Sequence, residues 1–588
     1  MKYRIIAYVV IITAALCGIT YLLHHGIAYR VLVPGVITAL MLTLTLPDHT
    51  LPGERVRTNK RRVRWQMRPG RGHATVFGIW QRWGRYASFR ESRRARPALP
   101  LWQRALFAGQ HSVLVGMAQY YTRLRISIQE HILVFGPPRE GKSGWLAGVI
   151  ARFPGSAIVT SSKADQYILT AGIRSKNGRP IHVFNPQGLG GILSTFRWNP
   201  LAGCEDESTA MRRADALVYA VSVKGAEDAS FWSSNAAEFM RGMFHAAALA
   251  GGDLSTVASW VMNPSLSEQA VMILTAAGKH QWADAVAAFD GPADKTVATI
   301  RLVMTQAIDF MNDPMLRQSV MPGMADEFDI DHFLMSAGTL YMIARSNGET
   351  SAMAPLFACM ASEIQYRAVE LGSQMDGNRL DPPMLMALDE ITQVCPVPLP
   401  AWLADAGGQG IQIIPVVHGM AQLEERWGQY GAEVIWDTCG SKVFLPGVSN
   451  PDTLRTAREL CGTAFYRERG TEGGKREHAV MTEAMIRMLP GECALIIRRA
   501  YDPVIVSLGM IWNSRVYRVA KRRNRLTAPA FAMLDAAPDR SALVEAHLAA
   551  IRADVEHVPA GAPPGRDHQA VPAAAAAPDD EYSAPWRA

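Results

Sequence analysis

Paired cysteines are missing from this chain. Its seven cysteines stand apart at positions 17, 204, 359, 395, 439, 461 and 493 of 588 residues, with no Cys-x-x-Cys and no cluster at metal-ligand spacing. That excludes a disulfide framework and leaves small buried hydrophobes in a reducing compartment. Charge is missing from Ile5 to Leu23, and Ile27 to Leu46 carries only Arg30. Each run is long enough to cross a bilayer as a helix. The link His24-His25-Gly26 makes them a hairpin with both ends on one side. A second span so close behind the first, without a clear small-residue cleavage site, argues against a secretory signal peptide. Acid is nearly missing from Gly53 to Arg96, where fourteen Lys and Arg face only Glu54 and Glu91. The basic excess behind the net charge of +7 sits there, and such a segment stays on the cytoplasmic side. Trp65, Trp80, Trp83 and Tyr86 are interleaved with these arginines. The composition suits anionic lipid headgroups and equally suits nucleic-acid phosphates with base stacking.

What is present is most specific at residues 131–143. The apolar run Ile132 to Phe135 reads as a buried strand, and Gly144 to Phe153 reads as a helix. Between them, Gly136-Pro137-Pro138-Arg139-Glu140-Gly141-Lys142-Ser143 fits the phosphate-cradling loop. The glycines let the backbone wrap a phosphate chain with its N–H groups inward, and the helix offers its N-terminus to the same anion. Lys142 is placed to reach the β and γ phosphates of ATP, and the Ser143 hydroxyl to hold Mg²⁺.

Further short apolar runs, Ser156–Thr160, Ile181–Phe184 and Thr339–Ile343, alternate with helical patterns and predict a parallel sheet wound with helices. Met384 to Leu388 is another, ending in Asp389 and Glu390. Asp389 would order the water of a bound Mg²⁺, and Glu390 would act as general base on the attacking water. Gly410 to Val417 precedes His418, at the strand end where open α/β sheets bind ligands; His418 is therefore a candidate for facing the nucleotide. Ser441–Leu445 and Ala494–Ile497 are later strands. From Cys204 to about Met324 every periodic segment is helical, which predicts an all-α insertion within the sheet domain. Asp535 to His557 holds one amphipathic segment, and Pro559 to Ala588 has a disordered composition.

In order, the chain carries Phe196-Arg-Trp-Asn-Pro-Leu201, Phe231-Trp232, Leu388-Asp-Glu390, His418 with Gln422-Leu423, Asp452-Thr453, Cys461-Gly462 and Leu489-Pro-Gly-Glu492. This series, behind two apolar runs, resembles the type IV coupling proteins, the TraG-like conjugative DNA-transfer ATPases, over roughly residues 1–510. The resemblance implies a RecA-like ATPase domain with an all-α domain that helps select substrate. It implies a homo-hexamer anchored at the inner face of the plasma membrane, its bulk cytoplasmic. Its partners would be a relaxase-bound single DNA strand, or a protein substrate, and the secretion channel. The expected layout is a transmembrane hairpin (1–50), a basic juxtamembrane segment (51–125), the nucleotide-binding domain in two parts (126–203 and 326–512) around the insertion (204–325), and a tail (513–588). The loop departs from the family in its bulky Arg139-Glu140. The family often has Gln where His418 stands and Arg near Gly407; Arg345 is the alternative candidate for an arginine finger. A DNA translocase of the FtsK kind and a membrane scaffold with a vestigial nucleotide site are the competing readings.

Overall fold

Runs of four to seven apolar residues become strands buried on both faces. Ile132–Phe135, Ser156–Ser161, Met384–Asp389 and Ile411–Val417 have no exposed position along their length, as expected of parallel strands covered by helices on each side. The molecule is described by a computed structural model covering residues 72–118, 122–221, 229–288, 295–321, 328–345, 351–467 and 475–522. The two apolar runs, Trp65 and the segment from residue 523 onward lie outside the described residues. No helix among those described is long and apolar enough to cross a membrane.

The strands are β1 (Ser112–Met117), β2 (Arg123–Ser127), β3 (Ile132–Phe135), β4 (Ser156–Ser161), β5 (Ile181–Phe184), β6 (Thr339–Ile343), β7 (Met384–Asp389), β8 (Ile411–Val417), β9 (Ser441–Phe444), β10 (Thr463–Arg467), β11 (Lys475–Ala479), β12 (Cys493–Arg498) and β13 (Tyr501–Leu508). Eleven form one sheet in the order β2-β1-β13-β12-β9-β3-β8-β7-β4-β6-β5; β10 and β11 pair separately. From β9 to β5 all neighbours are parallel. From β9 outward to β2 they are antiparallel. This is the expected α/β fold, with an antiparallel wing that the sequence reading did not foresee. β1 and part of β2 come from the segment assigned above to the basic juxtamembrane stretch (51–125), so the sheet begins well before residue 126. The six cysteines among the described residues are buried and form no disulfide with one another.

Two helices, α1 (Val76–Trp83) and α2 (Arg85–Ala95), precede the short α3 (Leu101–Leu106). Trp83 is not available to lipid or nucleic acid, contrary to the sequence expectation: it is buried, with the Arg498 guanidinium 5.2 Å from its ring. Arg498 forms a bidentate pair with Glu130, at 2.9 and 2.7 Å, both side chains only 4% exposed. It also donates to the Arg82 carbonyl at 3.1 Å. Ser441 donates its hydroxyl to the same Glu130 carboxylate. One buried pair thus clamps α1, the turn before β3, β9 and β12 together. Removing a single partner would strand a buried charge, at about 3–5 kcal/mol.

After β3 comes α4 (Lys142–Ile150), and after β4 comes α5 (Asp165–Arg174). The insertion holds α6 (Glu207–Tyr219), α7 (Ala229–Leu249), α8 (Leu254–Met262), α9 (Pro264–Ala276), α10 (His280–Ala288) and α11 (Lys295–Ala307), with no strand among its described residues. The Trp-Asn-Pro-Leu segment is its entry. The Trp198 N–H donates to Ser319 at 3.0 Å, closing entry against exit. The Asn199 side chain accepts the Leu201 N–H at 3.0 Å, and Arg213 donates to the Pro200 carbonyl at 3.1 Å while pairing with Glu363 at 3.3 Å.

His131 stands at the head of β3. Its Nδ1 accepts the Ile413 N–H at 3.0 Å, so the ring must be neutral there. Burial pushes its pKa from 6.5 down to about 4, with Glu130 opposing. The unfolded chain therefore binds the extra proton first, and stability falls as pH drops from 6.5 toward 4. The contribution is about 3 kcal/mol for this one ring. Urea denaturation midpoints at pH 7 and pH 4.5 are expected to converge in His131→Asn relative to the parent; an unchanged pH slope would contradict the assignment.

Candidate functional site

The parallel strands all end on one edge, and the residues singled out from sequence lie along it. The loop leaves β3 at Gly136, whose N–H donates to the Val417 carbonyl at 3.1 Å, fixing its start to the end of β8. A Cβ on Gly136 would lie 2.6 Å from Leu445, so the approach of the chain beyond β9 requires glycine there. Pro137 and Pro138 carry no N–H, which leaves Arg139 to Ser143 as the donors of the loop. Arg139 has φ 68° and Gly141 φ 84°. The left-handed turn at Arg139 is where the bulky departure from the family pattern shows in the backbone, at a cost of roughly 1–2 kcal/mol for a residue with a Cβ. A wall closes over the loop from the far end of the chain. A Cβ on Gly141 would meet Met510 at 2.7 Å, and one on Gly144 would meet the Trp512 ring at 2.1 Å.

Lys142 opens α4 and is buried. Its Nζ lies 2.8 Å from His418 Nδ1, which is also 3.0 Å from the Gly136 carbonyl. With Lys142 an ammonium, Nδ1 is the acceptor, and the carbonyl receives no proton from the ring through that atom. Burial lowers the Lys142 pKa, and the charges of Asp389 and Glu390 oppose it. The main-chain N–H of His418 donates to the Gln422 side-chain oxygen at 2.8 Å, which ties the end of β8 to the helix that follows.

Asp389 ends β7, paired with Val416 of β8. It is 6% exposed, its Oδ1 has no partner among the described residues, and its main-chain oxygen accepts the Thr160 hydroxyl at 3.0 Å. Burial raises its pKa to about 6 despite Lys142, with Glu390 adding to the rise. Glu390 follows at φ 52°, the left-handed cap of the helix Ile391–Val394. An unpaired buried carboxylate oxygen next to a phosphate-loop lysine is a donor set suited to a divalent cation, with the Ser143 hydroxyl as its neighbour on α4.

Sequence reasoning missed Gln166, fully buried, whose Nε2 donates to the Ser143 carbonyl at 3.2 Å, and missed the Met510–Trp512 wall. Only the position of Gln166 just past the end of β4 could have pointed to it. At Gly407 an arginine has no room: a Cβ would lie 2.2 Å from the Gln129 carbonyl oxygen. Arg345 sits exposed after β6, two strands beyond β7 in the sheet and outside this cluster, its N–H donating to Gln187 at 2.8 Å.

Residues 93–485 match the family described as type IV secretory system conjugative DNA transfer. Conjugal transfer protein TraG of Escherichia coli is 24% identical over 391 residues, covering 61% of this chain and 59% of that protein's length. The solved bacterial conjugative coupling protein TrwBdeltaN70, in an unbound monoclinic form, has a TM-score of 0.50 at 17% identity, covering 68% of this chain and 90% of that one. That is a likeness of fold. The plasmid coupling protein TrwB in complex with ADP and Mg²⁺ has a TM-score of 0.48 at 16% identity, covering 65% and 85%.

The cost of keeping Asp389 dry generates a prediction. At pH 7 the carboxyl is mostly ionised in an environment that holds its pKa near 6 against the ordinary 3.8. Asp389→Asn removes that penalty and is expected to raise stability by up to about 3 kcal/mol. Urea denaturation at pH 7 without nucleotide reads it, and a lower midpoint in the variant would refute it.

Proposed function

Because this chain belongs to the type IV secretory system conjugative DNA transfer family, we propose that it is a membrane-anchored ATPase coupling protein. It receives a relaxase-bound single DNA strand, or a protein substrate, and passes it to the secretion channel. The observation that carries the ATPase reading is the convergence on one sheet edge of a buried phosphate-loop lysine and a dry carboxylate with an unpaired oxygen.

On this reading the N–H groups from Arg139 to Ser143 bind the phosphate chain of ATP, and Lys142 turns from His418 to the β and γ oxygens. A Mg²⁺ ion held by Ser143 and Asp389 would neutralise charge on those oxygens. Glu390 takes a proton from the attacking water as its oxygen bonds to the γ phosphorus. The bond to the bridging oxygen breaks, ADP leaves, and Lys142 balances the charge left on it. His418, one strand from Asp389, is released when Lys142 moves. The family resemblance supports a hexamer at the inner face of the plasma membrane. The apolar runs at 5–23 and 27–46 supply the anchor.

The full chain in detergent is expected to hydrolyse ATP in a Mg²⁺-dependent, single-strand-stimulated manner. Lys142→Ala should abolish turnover. Glu390→Gln should lower it by about 10²–10⁴-fold, the usual worth of a general base, while still binding nucleotide. Turnover that survives both substitutions would sink the mechanism, and plasmid transfer unaffected by deletion of the gene would sink the biological role.

A further inference from the structure

A second concentration of charge lies at the opposite edge of the sheet from the phosphate loop. A cavity of about 550 Å³ is framed there by the turn that ends α4, the C-terminal end of α5, β2, α3 and the helix Arg515–Arg522. Arg85, Arg123, Arg125, Arg152, Arg174 and Arg179 line it, with Lys176 beside them, and no Asp or Glu is among the lining residues described.

Part of this charge has a structural use. Arg174, 1% exposed, donates to the carbonyls of Phe153 at 2.6 Å and Gly155 at 2.7 Å, and Arg179 donates to Pro154 at 3.0 Å. They cap the end of α4 and the turn beyond it, where carbonyls are left over. Carbonyl dipoles do not neutralise a full charge, however, and Arg125 has weaker support still. Its contacts among the described residues are to the Ser112 carbonyl and hydroxyl at 3.4 and 3.3 Å. Burial and the neighbouring Arg123, Arg85 and Arg152 push its pKa down to about 10. The cations repel one another here, and an anion would relieve them.

The rim has a different chemistry. Leu106, Phe107 and Val516 line the cavity, yet are 59%, 52% and 52% exposed. Trp102, also exposed, packs edge-on against Phe107 at 6.3 Å. Arginines beneath a margin of aliphatic and aromatic side chains are the composition of a membrane interface. The chain supplies the placement. The first described helices follow the apolar run that ends at Leu46, and α2 and α3 contribute Arg85 and Leu106 to the cavity.

We propose that this cavity binds the phosphate headgroup of an anionic phospholipid, with Leu106, Phe107 and Val516 meeting its acyl chains. A nucleic-acid strand is the lesser fit. A strand needs a groove that continues past the site, whereas this cavity is of headgroup size.

The test uses the full chain in non-ionic detergent without nucleotide, so its failure leaves the ATPase reading untouched. Binding of dihexanoyl phosphatidylglycerol, dihexanoyl phosphatidylcholine, glycerol phosphate and a single-stranded oligonucleotide is measured by thermophoresis. Phosphatidylglycerol is expected to saturate at least tenfold tighter than phosphatidylcholine. Arg123→Gln with Arg125→Gln should weaken it about 25-fold, some fivefold per charge, leaving phosphatidylcholine unchanged. Leu106→Gln with Phe107→Gln should weaken the lipid and leave glycerol phosphate alone. Equal affinity for the two lipids overturns the proposal, and so does unchanged phosphatidylglycerol affinity in the arginine variant. Glycerol phosphate binding as tightly as the lipid makes it a free-phosphate site and overturns it. An oligonucleotide that displaces the lipid and loses more affinity in the arginine variant overturns it in favour of nucleic acid. Should the arginine variant melt early, the rim variant decides, and undiminished lipid binding there counts against the proposal.

Discussion

Parallel pairing of β8 with β3 on one side and β7 on the other sets the dimensions of the nucleotide edge. Phe135 is in register with Val417, and Asp389 with Val416, so the lysine-bearing loop and the acid strand stand two strand spacings apart, about 10 Å. The loop beyond β3 spans that gap and returns Lys142 toward Asp389. Because β8 ends between them, its next residue, His418, can only fall beside the lysine. Were β3 and β7 direct neighbours, the same residues would crowd one another and leave no width for a phosphate chain.

That edge is costly. Asp389 is ionisable, dry and unpaired at Oδ1; Lys142 is buried; Arg139 and Glu390 hold left-handed backbone. These penalties reach several kcal/mol against a net stability of order 5–15 kcal/mol for a folded domain. The offset lies elsewhere: in fully buried parallel strands, in the Glu130–Arg498 clamp, and in a hydrophobic core that runs without a break from the sheet into the insertion. Strain concentrated where ligands meet the fold, with regular structure around it, is how locally consistent sequences usually fail.

The parallel half of the fold was legible because strands buried on both faces leave uninterrupted apolar runs, and because the insertion helices keep a 3.6-residue period. Of the antiparallel wing only β12 was, from the apolar run Ala494–Ile497. Arg123-Leu-Arg-Ile-Ser127 alternates as a half-exposed strand should, yet in composition it continues the basic stretch before it. Trp83 shows the same limit from the other side: composition placed it on a surface, and only the fold brings Arg498 to cover it. The residues of the phosphate loop and the acid strand were readable because their spacing is local. Met510, Trp512 and Gln166 reach the loop from elsewhere in the chain; nothing marks the first two locally, and Gln166 is marked only by its place after β4.

One helix joins the two charged ends of the molecule. The first residue of α4, Lys142, belongs to the phosphate loop, and the turn after its last, Ala151 to Pro154, forms a wall of the basic cavity. The helix is nine residues long, a rod of roughly 14 Å, buried along nearly its whole length and pinned at its first turn, where the Trp145 indole donates to the Val115 carbonyl at 2.9 Å. A short rod held in close-packed surroundings moves as a unit or not at all. The sheet's two edges therefore share one rigid element, and whatever coupling it carries between anions bound at the two ends is reciprocal in free energy.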